Sequence, residues 1–146
     1  MGTAATTFVT VLSGVCVFVI GQFVLKLIVD PIAAFRQRIG SIAYLVLHYQ
    51  ARLVNASNKD DDVRNEFRRH AAELIVARSQ VPLYRVAAVI FRLPREDDVA
   101  KAARELNGLA FNIGPVQEDR RHQAAIENVY ALKKLGQLLR IKTNYG

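Results

Sequence analysis

The chain has 146 residues, 51% of them hydrophobic, and a single cysteine. That leaves room for one compact domain plus a short extra segment, and it excludes an internal disulfide framework and a cysteine-built zinc site. The net charge of +7 favours anionic partners, either phospholipid headgroups or nucleic acid, and it is unevenly placed: residues 1–25 carry no charge, whereas all 13 acidic and 19 of the 20 basic residues follow Lys26.

Residues 8–29 read FVTVLSGVCVFVIGQFVLKLIV, interrupted by strongly polar side chains only at Gln22 and Lys26. At 1.5 Å per residue these 22 residues make a helix of roughly 33 Å, enough to cross a hydrocarbon core of about 30 Å. Lys26 lies within a turn of the end, where its ammonium snorkels to the headgroups. A cleaved signal peptide is the weaker reading, because the first seven residues are uncharged and Leu25-Lys26-Leu27 offers no small-residue cleavage site. A buried helix of a soluble protein fits a terminal run of 25 uncharged residues less well still. Lys26 in the last turn of the span and Arg36, Arg38 and Arg52 beyond it put basic charge on that side, and nothing basic precedes the span except the α-amino group. The positive-inside rule then predicts the N-terminus outside and the remainder in the cytoplasm. Met1-Gly2-Thr3-Ala4-Ala5-Thr6 fits an N-myristoylation pattern, but a translocated N-terminus would not meet the transferase. Within the span, Gly14 and Gly21 lie seven residues apart on nearly one face, a candidate helix-association surface, and Cys16 reads as a small apolar side chain.

Asp30-Pro31 predicts a helix start, Asp as N-cap and Pro at the first position, or else a kinked continuation of the span. The helix over 31–54 carries Ile32, Phe35, Ile39, Ile42, Val46, Tyr49 and Leu53 at alternating spacings of three and four. The same register, stepped backwards, passes through Ile28, Leu25, Gly21 and Phe18. The stripe is therefore read either as a self-pairing stalk, with Ile32, Phe35, Ile39 and Ile42 at its centre, or as a face covered by later helices, which is preferred. A polar turn at 55–59 leads to Asp60, Asp61 and Asp62, a cap and first-turn charge for a helix over 60–79 with Val63, Phe67, Ala71, Leu74, Ile75 and Arg78 on one face. No EF-hand pattern accompanies these carboxylates. Val81-Pro82 restarts the chain as a short helix over 82–92, apolar at Leu83, Val86, Ala87 and Ile90, which Pro94 ends. Glu96, Asp97 and Asp98 open the next helix, striped by Val99, Ala103, Leu106, Ala110 and Ile113, with a kink expected at Asn107-Gly108. Gly114-Pro115 is a stop. The last helix runs to 141 with Ile126, Val129, Leu132, Leu135 and Leu139, and its closing Lys133, Lys134, Arg140 and Lys142 suit the macrodipole. No segment alternates with period two at length. The predicted fold is all-α: an anchor over 1–29 and a bundle of four to five helices over 30–146.

Asp30-Pro31-Ile32, Phe35-Arg36, Ile39-Gly40, Ile42-Ala43, Leu45 and Tyr49 resemble a motif of small bacterial single-pass membrane proteins to which no activity is assigned. There the motif begins with Glu. Val81-Pro82-Leu83-Tyr84-Arg85, Leu93-Pro94 and Arg104-Glu105-Leu106-Asn107-Gly108-Leu109 are similar to the second half of that family. The resemblance covers residues 8–112 and stops in the last helix. It implies a bacterial inner-membrane location and one span, and it implies no catalytic residue.

Chemistry-bearing patterns are not found. His48, His70 and His122 have no partner at metal spacing, and the sequence holds no HExxH, GxSxG or P-loop. Glu66 and His70 read as a surface contact across one turn. Tyr44, His48 and Arg52 share a face that could hold an anion, but a helix rim explains them equally well. Arg64, Arg68 and Arg69 line one helix side, and Arg78, Arg85, Arg92 and Arg95 follow at about heptad spacing without the exposed aromatics of a nucleic-acid reader. Arg36, Arg38, Arg52, Arg78 and Arg85 are therefore candidate contacts to headgroups or another anionic ligand. The expected function is a membrane-anchored interaction or scaffold module without catalysis or cofactor, partnered by the bilayer and by another protein or a second copy. The second expectation is an oligomeric effector that responds to a nucleotide or other anion, as in phage defence. An accessory subunit to an enzyme is the third.

Overall fold

The computed structural model describes residues 2–55, 60–113 and 120–144. Among these the chain is helical with no strand. The elements are α1 (Gly2–Val24), a π turn (Leu25–Val29), α2 (Asp30–His48), α3 (Gln50–Asn55), α4 (Asp61–Ser79), α5 (Tyr84–Ile90), α6 (Glu96–Asn112) and α7 (Arg121–Leu139). The expected stop at Gly114-Pro115 lies outside the described residues.

α1 is long and apolar enough to cross a membrane, and nothing among the described residues covers it: every large side chain from Phe8 to Val29 is exposed. Three of its hydroxyls are satisfied internally, Thr6, Thr7 and Thr10 donating to the carbonyls one turn back at 2.8, 2.9 and 2.9 Å. The helix does not stop at Asp30-Pro31. It runs unbroken from Gly2 to His48. Asp30 is itself helical, and its backbone N–H donates to the Leu25 carbonyl in place of the side-chain cap expected from the sequence. Pro31 has no N–H to give to the carbonyl four residues back, and a single π turn is the way an α-helix absorbs such a lost bond. The turn also ends the apolar register. A wider turn holds about one extra residue, so faces before and after it are offset by about 100°. The stripe through Ile32 therefore does not continue through Ile28, Leu25, Gly21 and Phe18.

α2 to α7 form the bundle, and their packing order follows from a few pairs. α4 runs antiparallel to α2, tied to it by Arg38–Glu73 at 3.0 Å, while Arg52 of the following α3 pairs with Asp60, the cap of α4, at 3.1 Å. α6 runs back along α4 from the Arg78–Glu96 pair, and α7 runs back along α6 through Asn112–Asn128 at 2.9 Å and Glu105–Lys134 at 2.5 Å. The core draws on every bundle helix, with Phe35, Ile42, Phe67, Leu74, Leu106, Leu109 and Leu135 fully enclosed. Ile32, Phe35, Ile39 and Ile42 are all buried within this one chain. They belong to its own core and offer no surface to a second copy.

Several faces differ from the periodic reading. Ile126 and Val129 on α7 are exposed, and Ala124 and Asn128 are buried instead. The helix therefore turns a slightly different face inwards. Asn128 is accommodated because its amide donates to the Leu53 carbonyl at 2.8 Å and its oxygen accepts from Asn112. Leu53 sits in the last turn of α3, where a carbonyl has no helical partner. α6 stays α-helical through Asn107-Gly108, without the expected break. Asp60 caps α4 as expected, its carboxylate accepting from the Val63 N–H at 3.3 Å. α5 starts at Tyr84, two residues after Pro82, and buries Tyr84 and Ala87 while Leu83, Val86, Val89 and Ile90 face outwards.

Candidate anion-binding site

The antiparallel order gathers one end of each element beside the start of α2. α4 ends there, α5 lies there, α6 begins there and α7 finishes there. Tyr84 on α5 meets Phe35 edge-on with ring centroids 5.7 Å apart, and the Tyr84 hydroxyl donates to the Pro94 carbonyl at 2.8 Å. Burial pushes the Tyr84 phenol up to about 12, the Arg78 guanidinium opposing and Asp98 adding to the rise, so it stays a donor. The Arg36 guanidinium donates to the Phe91 carbonyl at 2.6 Å and thereby holds the end of α5 against α2.

α5 and α7 close in the same unusual way. Leu93 N–H reaches back to Ala88 O at 3.0 Å, and Ile141 N–H reaches back to Gly136 O at 3.1 Å. Both six-residue closures need a left-handed residue just before the donor, a position that normally falls to glycine. Here it is Arg92 at φ 52° and Arg140 at φ 57°. The two arginines are neighbours, Arg140 Nη1 lying 3.4 Å from the Arg92 carbonyl. With Arg85 and Arg95 they line an open cavity of about 520 Å³, together with the Tyr84 ring and the carboxylates of Glu96 and Asp97.

Charge in this cavity is unbalanced. Glu96 is taken by Arg78 and, at 3.6 Å, by the largely exposed Arg85. Among the described residues neither Arg92 nor Arg95 has an ion pair. Guanidinium groups that converge without carboxylate partners suit an oxyanion, which they bind with paired parallel N–H donors. The volume lies within the range of small-ligand sites.

The five arginines expected from the sequence fare differently. Arg38 and Arg52 are paired with Glu73 and Asp60, Arg36 is spent on the Phe91 carbonyl, and Arg78 is held by Glu96 with its guanidinium 5.7 Å from the Tyr84 ring centroid. These four act within the fold, and only Arg85 faces the cavity. The structure adds Arg92, Arg95 and Arg140. Arg92 and Arg95 were visible as a heptad-spaced series, but Arg140 looked like an ordinary C-terminal charge. No sequence signal marks a left-handed arginine. In the Tyr44, His48 and Arg52 set, Tyr44 and His48 stack at 5.6 Å and Arg52 turns to Asp60. Gly14 and Gly21 stand open on α1, with nothing within 4 Å of an added Cβ. Among the described residues no group of three or more His, Cys, Asp or Glu side chains could hold a metal ion.

No protein-family model, no curated protein and no solved structure matches this chain.

Proposed function

We propose that this chain is a single-span protein of a bacterial inner membrane, N-terminus outside, whose cytoplasmic bundle is an interaction module without chemistry of its own. The observation that carries the reading is the contrast along one unbroken helix. Every large side chain up to Val29 is exposed, and Ile32, three residues on, is 3% exposed. An apolar surface of that length left bare in water would be strongly unfavourable, at about 25 cal/mol per Å². Lipid removes the cost. The positive-inside asymmetry orients it, and the motif resemblance supports the one-span layout and the bacterial setting.

Two fusions test the reading. Alkaline phosphatase at the N-terminus is expected to be active and a fluorescent protein at the C-terminus to glow in the cytoplasm. Release of the protein from membranes by alkaline carbonate would defeat the anchor, and the opposite reporter pattern would defeat the orientation.

The arginine cavity favours a second reading, an effector that responds to a nucleotide or other phosphate-bearing anion. The full chain in detergent would then gain thermal stability with one member of a nucleotide panel, and Arg92→Gly would remove the gain. A flat response across the panel sinks it.

A further inference from the structure

We propose that the outer face of α5 lies in the headgroup layer of the anionic leaflet that the chain's own apolar helix crosses, with Leu83, Val86, Val89 and Ile90 dipping below the phosphates and the neighbouring arginines holding them. This inference rests on the membrane-anchored reading and adds a second contact between bundle and bilayer.

Exposure points to α5. Leu83, Val86, Val89 and Ile90 are 80%, 54%, 81% and 67% exposed, on the side opposite buried Tyr84 and Ala87. Four large apolar residues together on one short element make the kind of patch that marks an interaction surface. The group on α7 formed by Ile126, Val129 and Tyr130 is smaller in number and less exposed at two of its three positions.

Height along the molecule names the occupant. Ile32 is buried, so the bundle begins within three residues of Val29, an axial rise of about 4.5 Å. α5 is fixed at the level of Phe35 and Arg36 by the Tyr84 ring and the Phe91 carbonyl, about 9 to 10 Å beyond Val29. A helix with its side chains has a radius of about 5 to 6 Å, so the outer face of α5 is within reach of the headgroups at an ordinary tilt of the span. Among the described residues no other bundle helix lies with its whole length at this end.

Charge agrees. Arg85, Arg92, Arg95 and Arg140 crowd the same end, and an apolar face with a basic rim is the composition of an interfacial helix. The same rim argues against a second copy, because a two-fold contact through this face would set arginines against arginines. The distal end, by contrast, carries Asp60, Asp61 and Asp62.

The test uses the full chain in nanodiscs at one copy per disc, with Cys16→Ala and a single reporter cysteine carrying an environment-sensitive fluorophore. Val89→Cys reads the α5 face, and Phe111→Cys, 69% exposed at the distal end of α6, is the control. In discs of phosphatidylcholine mixed with phosphatidylglycerol, the Val89 reporter is expected to be blue-shifted, several-fold less accessible to aqueous iodide than the control, and quenched by lipid carrying a shallow nitroxide. Adding Arg92→Gly and Arg140→Gly is expected to return its iodide accessibility towards the control without lowering the melting temperature. Equal iodide access at Val89 and Phe111 in discs that retain the protein would overturn the proposal and leave the anchor standing. Failure of the chain to enter discs would overturn both. Shielding that appears equally in detergent and fades on dilution would assign the face to a second copy and overturn the leaflet contact.

Discussion

Asn128 is the one polar residue found fully buried among the described residues, and both ends of its amide are used. Asn128→Leu would fill the same space, strand the Leu53 carbonyl and leave the Asn112 amide only its long 3.5 Å bond to Glu127. The expected loss is about 1–3 kcal/mol, read as a lower urea midpoint with an unchanged slope. His70 behaves differently. Its Nδ1 is buried without a hydrogen bond, and Glu73 Oε2, at 3.8 Å, is too distant to accept one. Burial holds the imidazole below its ordinary 6.5, Glu73 opposing and Arg69 reinforcing the shift. A depressed value means that the folded state takes up the proton less readily than the unfolded chain. The His70 contribution is therefore complete above pH 6.5 and is lost as pH falls through the lowered value. The melting temperature is expected to fall in that window, and His70→Gln to flatten the fall; an identical pH profile in the variant would exclude His70 as the source.

At the level of whole elements, the two arginine-closed helices hold stability in reserve. A left-handed L-residue costs roughly 1–2 kcal/mol, of which glycine's greater chain entropy returns part. Arg92→Gly and Arg140→Gly are each expected to stabilise the bundle by up to about 1 kcal/mol, measured by thermal melting; a clear destabilisation would mean that the side chains hold the turns. Helix existence was readable from spacing and caps: Asp60 before α4, the acidic triplet opening α6 and the stripe of α2 all stand in the sequence. The inward face of α7 was not, because Ile126 and Val129 have the right spacing and only the position of α3 beside α7 decides that Asn128 turns in. The outer face of α5 misled in the opposite sense. Leu83, Val86 and Ile90 look like core residues by hydrophobicity, and nothing in seven residues says which side the bundle occupies. The cavity was the least readable feature, since it joins Arg92 to Arg140 across 48 positions.

Taken as a whole, the chain divides at one point. Among the described residues neither α1 nor the π turn contributes a buried residue to the core. A chain beginning at Asp30 is therefore expected to keep the bundle's helicity and to melt within a few degrees of the full protein. Circular dichroism checks this, and a molten truncation would show that the apolar helix is needed for folding. The full chain is nonetheless mechanically continuous, because the helix runs from α1 into α2 without a break, the missing Pro31 bond included. The π turn acts as a phase coupling: it sets which side of α1 faces a neighbour for a given seating of Ile32 and Phe35 in the core. Rotating α1 by one residue's worth of angle would have to convert that turn to α-helix or unseat Ile32 and Phe35, so torque applied along α1 is delivered to the base of the bundle, where Phe35 meets Tyr84 of α5.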